Sequence, residues 1–316
     1  MKVYTLDIDS SERVPILYPN QNEYVIDLKN QPIYDVTKIT LVSAKIPNSQ
    51  LLINSTNNTF SIDNTDFTLA NTNYSSGSDL ASDLELLVAP PASKIDSVSY
   101  DADTNSITFS NTVSDNFSIQ FYSGTNGYVS TQIGKTTPHQ ILGFTSLDYD
   151  SDAGQLKSGS INFTGPNDLI IRISSGSDNL NKHIYSNTPF YTGRIITNGT
   201  TSTIHTGSDD PLNHTFYAGQ QKTIHRLKVE FFYMSHGRLI PYDFRNQDHI
   251  IKLEIECSTD KLEGLPKVMK SFELPPPISI PEIENPYKWK EYMYIATIVV
   301  VGTLLLMLMR PRKLSE

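Results

Sequence analysis

The sequence predicts a mainly all-β protein: a jelly-roll-like β-sandwich with a small α+β insertion, followed by a C-terminal transmembrane helix. Three observations predict this fold class. Stretches of alternating apolar and polar residues recur through the first 258 residues, with a single credible helix among them. Tyrosine and phenylalanine are plentiful, at 17 and 13 of 316 residues, which favours strands. Near the C-terminus, 18 consecutive residues carry no charge.

Three strands are predicted at the start of the chain. Residues 2–9, KVYTLDID, and residues 23–30, EYVIDLKN, alternate apolar and polar side chains, so each strand buries one face. Residues 38–46, KITLVSAKI, are apolar on both faces, which is typical of a central strand. Proline and asparagine in YPNQN and IPNS predict the turns that follow the first and third strands.

An α+β lobe over residues 56–147 is predicted to interrupt the sandwich. It contains one helix, which we expect to begin at a Ser78 cap and to end before Pro90 and Pro91. A hairpin with its turn at residues 102–105 follows, and NFSIQFY is expected to be its partner strand. The segment after the lobe, DYDSDAGQLKSGS, is interpreted as a loop.

The last strands are predicted to complete the sandwich, which then consists of residues 1–55 and 148–258. DLIIRIS forms one strand, while HRLKVEFFYM and HIIKLEIEC are expected to form a long hairpin around SHGRLIPYDFRNQD. Six prolines indicate an extended stalk over residues 259–287. Residues 288–316 remain as a membrane anchor with a short basic tail.

The uncharged run from Tyr292 to Met309 has the length and composition of a transmembrane helix. At ~1.5 Å per residue it spans about 27 Å, close to the thickness of a hydrocarbon core. Nine of its residues are Ile, Val or Leu, and together they favour insertion by about 3–5 kcal/mol. Thr297 and Thr303 can bond back to the helix backbone and cost little. A buried core helix is the alternative, but it would show a polar stripe, and this run has none.

Both ends of this run carry residues that prefer the membrane–water interface. Aromatic residues and lysines lie at its start, and basic residues follow it. The residues predicted to hold the chain in the bilayer are Trp289, Tyr292, Tyr294, Ile295, Ile298, Val299, Val300, Val301, Leu304, Leu305, Leu306, Leu308, Arg310, Arg312 and Lys313.

Other features of the sequence favour a β-domain on the cytosolic side of the membrane. The N-terminus has no apolar stretch of signal-peptide length, and only seven residues follow Met309, so we expect a tail anchor. Cys257 is the only cysteine, which favours a reducing compartment. Three basic residues after the helix, against two just before it, mildly oppose this orientation. Seven glycosylation sequons would be inert there, at Asn54, Asn57, Asn73, Asn116, Asn162, Asn198 and Asn213.

No motif for catalysis, for a cofactor or for a metal emerges. The net charge of −9 disfavours nucleic acid as a partner. IGKTT, at residues 133–137, lacks the earlier glycine of a phosphate-binding loop. Asp7 and Asp9 share a strand face that is more simply a polar surface. Three histidines fit no short metal motif and are interpreted as turn or surface residues: His225, His236 and His249. We therefore expect no catalytic residue, no cofactor and no metal, and the protein is not expected to be an enzyme.

Several short motifs resemble those of the minor capsid proteins of large nucleocytoplasmic DNA viruses, such as the algal phycodnaviruses. They are D-S-x-x-R, Y-P-N-x-x-x-[FY]-x-[IV], S-A-x-I-P-N, N-N-x-F and L-G-F, and the resemblance covers residues 5–257. In this sequence the motif residues with an expected structural role are Asp9, Ser10, Arg13, Tyr18, Pro19, Asn20, Ile46, Pro47, Asn48, Leu142, Gly143 and Phe144.

The resemblance implies a structural minor capsid protein that tethers the outer shell of an icosahedral virus to its internal membrane. The expected partners are the major capsid protein, other minor capsid proteins and the lipid of the internal membrane, without nucleic acid. The expected location is the capsid–membrane interface of the virion, with the β-domain facing the capsid. The alternative is a single-pass surface protein with an adhesive or glycan-binding β-domain, for which the sequons would matter.

Overall fold

The computed structural model describes residues 1–176, 178–180, 183–185, 188–198, 201–208, 211–216, 222–259 and 287–309. The predicted stalk lies almost entirely outside the described residues, as do Arg310, Arg312 and Lys313. Contacts within the chain divide it into two compact units, Met1–Leu265 and Pro266–Glu316.

In its described residues, unit 1 is built from strands and one α-helix. The elements up to residue 160 are β1 (Lys2–Asp9), a 3-10 turn (Ser10–Glu12), β2 (Glu23–Asp27), β3 (Ile33–Pro47), β4 (Thr59–Ile62), β5 (Thr65–Thr68), α1 (Gly77–Val88), β6 (Ser97–Asp101), β7 (Ser106–Ser110), β8 (Ser118–Gln120), β9 (Asp148–Asp150) and β10 (Gln155–Ser160). The later strands are β11 (Asp168–Ser175), β12 (Asp178–Asn179), β13 (His183–Tyr185), β14 (Thr188–Tyr191), β15 (Gly193–Ile196), β16 (Ser202–Thr206), β17 (Leu212–Thr215), β18 (Lys222–Ile224), β19 (Arg226–Ser235), β20 (Arg238–Pro241) and β21 (Ile250–Cys257).

Two antiparallel sheets form a jelly-roll-like sandwich, which confirms the predicted fold class. The first sheet has the order β1-β21-β3-β16, with β17 and β18 also paired to β3. The second has the order β12-β11-β19-β2, with β15 on β11 and β20 on β19. β3 is a central strand, as its two apolar faces predicted. It is also long, and β16, β17 and β18 pair in succession with one of its edges.

The sandwich core lies between these two sheets. Its apolar residues come from the first 46 residues and from residue 169 onward, because alternate residues of each strand point inward. Tyr24, Phe231 and Phe244 are buried and surround His249, whose ring lies 4.5 Å from Phe231 and 4.6 Å from Phe244.

A second core belongs to the α+β lobe. It joins α1 to a three-stranded sheet, β10-β7-β6, and to a four-stranded sheet, β5-β4-β8-β9. The 102–105 turn joins β6 to β7, as predicted. The lobe core draws on residues 52–161, while the predicted domain limits at residues 55, 148 and 258 stay a prediction.

Helix α1 starts two residues earlier than predicted. Ser76, not Ser78, is the N-cap, and its Oγ accepts a 3.2 Å hydrogen bond from the Asp79 N–H. Leu80 and Leu84 are fully buried on the predicted face. The helix ends at Val88, just before the two prolines, as expected.

Three strand predictions were wrong. NFSIQFY contains β8, which pairs with β4 and β9 and not with the β6–β7 hairpin. DYDSDAGQLKSGS is no loop but supplies β9 and β10, whose mostly polar residues gave no alternation to detect. The long hairpin does not form, because His236 and Gly237 turn β19 back at once into β20, and β21 joins the opposite sheet.

Unit 2 contains helix α2 (Lys288–Leu308), which begins four residues before the uncharged run. None of its residues is buried, and no side of it is polar.

Candidate functional site

Helix α2 is long and apolar enough to cross a membrane, judged by its length and composition. Each predicted anchor residue from Trp289 to Leu308 is at least half exposed. In water, the apolar surface of such a helix is unfavourably solvated on every face. In hydrocarbon, all of its faces would be favourably solvated.

The polar groups of α2 are satisfied within the helix or lie at its start. Thr297 Oγ1 donates to the Met293 carbonyl at 2.7 Å, and Thr303 Oγ1 donates to the carbonyls of Val299 and Val300. At the start, Lys290 Nζ lies 4.2 Å from the centre of the Tyr287 ring. Both threonines thus bond back as the sequence indicated, and the cost of placing them in lipid is small.

The first group of motif residues lies at one end of the sandwich. Asp9 caps the 3-10 turn by accepting from the Ser11 N–H at 2.9 Å. Ser10 is buried, donates to Asp248 Oδ1 at 2.8 Å and accepts from the His249 N–H at 2.9 Å. The D-S motif therefore ties the end of β1 to the segment that enters β21.

Arg13 braces the loop that follows. Its guanidinium donates to the carbonyls of Ser10 and Tyr18 at 2.8 and 3.0 Å, and to that of Pro19 at 3.4 Å. It also pairs with Asp248 at 3.1 Å. Arg13 therefore links the two ends of the loop from residue 14 to 19.

Six further motif residues support a strand end or the lobe core. Ile46 is fully buried, Pro47 ends β3, and the Asn48 N–H donates to the Thr201 carbonyl at 3.0 Å. Leu142 and Phe144 belong to the lobe core. Between them, Gly143 has a φ of +79°, and an added Cβ would lie 2.5 Å from the Gly159 carbonyl oxygen, so only glycine fits.

A seam joins the lobe to the sandwich, and two stacked histidines lie in it. The rings of His139 and His236 are 4.2 Å apart. His139 Nδ1 lies 3.0 Å from Thr137 Oγ1, and His236 Nδ1 lies 3.2 Å from Thr136 Oγ1. Burial lowers the pKa of His139 to about 4; burial, His139 and Arg238 together lower the pKa of His236 to about 3. Both rings are therefore neutral near pH 7.

Arg238 braces a second loop across the same seam. Its guanidinium donates to five main-chain carbonyls at 2.5–3.3 Å, those of Asn126, Gly127, Tyr128, Ser130 and Lys135. The side chain comes from the β19–β20 turn of the sandwich, while the loop belongs to the lobe. One residue thus fixes the loop and joins the two cores.

The side chains of the candidate chemical motifs bond to other residues of the chain. The hydroxyls of Thr136 and Thr137 in IGKTT are buried and bonded at the seam. Asp7 pairs with Lys252 at 3.4 Å. His236 lies in a turn, as expected, but His249 is a core residue bonded to Tyr24 Oη at 2.9 Å, which corrects its interpretation as a turn or surface histidine. Within the described residues, no three His, Cys, Asp or Glu side chains could hold one metal ion.

Comparison with known proteins identifies the family. The profile of a family of unknown function, DUF5901, matches residues 1–226. The chain belongs to DUF5901. No curated protein matches it. The match ends at Arg226, the first residue of β19, so it includes neither β20 and β21 nor α2.

Two solved structures are similar to this DUF5901 chain at low identity. The mavirus penton protein is 10% identical with a TM-score of 0.35, covering 81% of this chain and 100% of that one. A chain of the Sputnik virophage is 12% identical with a TM-score of 0.32, covering 81% of this chain and 98% of that one. Both TM-scores are low, so neither likeness assigns a function.

Two sites of the DUF5901 member were missed by sequence reasoning. Arg238 gave no signal, because its partners are main-chain carbonyls, which any sequence supplies. His139 lies far along the chain from His236, and no local motif joins them.

Proposed function

We propose that this chain is a structural minor capsid protein of a large icosahedral DNA virus, which tethers the outer capsid shell to an internal membrane. The observation that carries the proposal is α2: a 21-residue apolar helix without a buried residue, in a chain whose other unit is a β-sandwich. The motifs shared with minor capsid proteins support the viral context.

On this proposal, the sandwich unit supplies surfaces for contacts with capsid proteins. Its polar side chains bind each other or the backbone in caps, ion pairs and braces, as Ser10, Arg13 and Arg238 do. A lattice of anchored copies binds multivalently, so each contact with the major capsid protein or with other minor proteins can be weak. The location that follows is the capsid–membrane interface, with the β unit facing the capsid.

Two of the seven sequons give no support to the adhesive alternative. The side chains of Asn54 and Asn57 are buried. Asn57 Oδ1 accepts from the Asn54 N–H at 2.8 Å, and its Nδ2 donates to the Leu52 carbonyl at 2.9 Å. A glycan on either residue is incompatible with this fold.

The test uses purified virus particles. They are treated with a lysine-reactive cross-linker, and the outer capsid is then stripped from the membrane. We expect the chain to stay with the membrane fraction and its β unit to carry cross-links to capsid proteins. Particles whose chain lacks residues 288–316 should lose the membrane association. Retention of that truncated chain on the stripped membrane, or absence of the protein from particles, would overturn the proposal.

A further inference from the structure

The Arg13-braced loop exposes apolar side chains in a fixed conformation. Val14, Ile16 and Leu17 are 51%, 94% and 68% exposed. The N–H groups of Leu17 and Tyr18 both donate to the Val14 carbonyl, at 3.0 and 2.9 Å, which closes a tight turn. Because the turn is already ordered, a partner that buries these side chains meets little further cost in conformational entropy. We call residues 14–17 the apolar turn.

A groove of ≈ 930 Å³ opens beside the apolar turn, and Val14 lines it. Its lining also includes Ile204 and Ile250, which are 66% and 47% exposed. The strand register places both of them beside Lys45, one on each side. A protruding apolar turn and an apolar groove therefore share one surface.

The charges along this groove are mostly neutralised internally. Lys252 pairs with Asp7, Asp248 with Arg13, and Arg226 with Asp27. Asp9 caps the 3-10 turn. Apart from Asp9, the charged lining residues for which the described part of the chain gives no ion-pair partner are Glu12 and Lys45. They are of opposite sign.

An isologous contact requires that both complementary halves lie on the same patch of one chain. This surface meets that requirement in two ways. The apolar turn is complementary to the groove, and Glu12 is complementary in charge to Lys45. We propose, independently of any membrane role, that it binds a second copy of this chain. The apolar turn of each copy enters the groove of the other, and Glu12 of one copy faces Lys45 of its partner, in both directions.

The Arg238-braced loop lacks this complementarity. Its Ile133 is 95% exposed and also lies at a groove, of ≈ 460 Å³. The charged residues there are already engaged, since Arg172 forms two hydrogen bonds to Glu230, and Arg238 binds carbonyls. Ile133 therefore supplies a matched control.

A charge exchange tests the proposal. The mass of the full chain in detergent micelles is followed by analytical ultracentrifugation over a range of concentrations. We expect a dimer, weakened about tenfold or more by Glu12→Lys or by Lys45→Glu, because each change places like charges at both symmetric contacts. The double exchange should restore the original affinity. A monomeric parent chain, or a double variant no better than the single ones, would overturn the proposal.

A second pair of variants separates this surface from other routes to association, including α2. Ile16→Asp should abolish the dimer, while Ile133→Asp should leave it unchanged, with circular dichroism showing both to be folded. A dimer that survives Ile16→Asp, or one that Ile133→Asp weakens equally, would place the contact elsewhere and refute the assignment.

Discussion

The two units of this chain treat apolar residues in opposite ways. In unit 1 most large apolar side chains of the strands and of α1 pack into two cores, and Phe231, Phe60 and Leu80 are all fully buried. In unit 2, α2 carries no charge from Tyr292 onward, yet none of its residues is buried. The contrast supports the proposal that α2 is solvated by hydrocarbon, because an apolar surface gains free energy when it leaves water.

The sharpest way to break this contrast is to place charges at the centre of α2. Val300→Arg with Leu304→Arg should raise the free energy of insertion by about 5–7 kcal/mol, at roughly 2.5–3.5 kcal/mol for each arginine. We expect the full chain to lose its flotation with phosphatidylcholine vesicles. Trp289 is the only tryptophan, so its emission also reports whether α2 enters lipid.

The matched control adds an arginine to a helix that needs no lipid. Leu86 is 84% exposed on α1, and Leu86→Arg should leave flotation unchanged. If the α2 variant still floated like the parent chain, the assignment of α2 to hydrocarbon would be wrong.

The next largest effect is expected in the sandwich core. Phe231→Ala removes a fully buried ring that packs edge-on against Phe244, with centroids 5.3 Å apart. The free energy of unfolding should fall by about 3–5 kcal/mol, measured by urea denaturation and circular dichroism. Ile133→Ala, at a 95% exposed position, should stay within about 0.5 kcal/mol. Equal losses for both would contradict the core assignment.

A smaller and local effect is expected at the seam. Arg238→Ala leaves five carbonyls without their donor, so the loop should open while both cores persist. Trypsin should then cut faster after the exposed Lys135. Arg226→Ala, which removes only a surface pair at 3.4 Å, is the control. Unchanged cleavage at Lys135 would show that Arg238 does not hold the loop.

The smallest effect concerns pH. The folded-state pKa values of His139 and His236, about 4 and about 3, lie below the ordinary value near 6.5. Below about pH 6.5 the unfolded chain therefore binds more protons than the folded chain. The contribution of the neutral histidines to the free energy of unfolding is complete above about pH 6.5 and is lost as the pH falls toward 4. His139→Gln should flatten the fall in unfolding free energy between these values. Equal slopes in the parent chain and in the His139→Gln variant would contradict the neutral pair.

Sequence periodicity was sufficient where residues near in sequence determine the element. The one-sided alternation of β1, the two apolar faces of β3 and the unbroken apolar run of α2 each predicted their element. Periodicity failed where the pairing strands are distant in the sequence or where a strand consists mostly of polar residues. β19 and β21 both read as strands, but pairing between sheets is non-local and no residue in either strand encodes it. The polar β9 and β10 carry no apolar alternation at all.

The predicted site residues divide in the same way. The composition of α2 indicated an anchor directly, while the bonds of Arg13 and Arg238 depend on backbone carbonyls that only the fold brings together. Ser76 and Ser78 offered the same cap chemistry, and the backbone conformation decided between them. Whether α2 crosses a bilayer remains a prediction, and its topology is the decisive quantity.

The most direct measurement is the topology of the full chain in microsomes from eukaryotic cells. The microsomes are washed with carbonate and treated with protease, with an endoglycosidase digestion run in parallel. We predict a carbonate-resistant chain whose β unit is unglycosylated and cleaved by the protease, as shell-to-membrane tethering requires. A β unit that is glycosylated and protected, or a chain released by carbonate, would contradict the account.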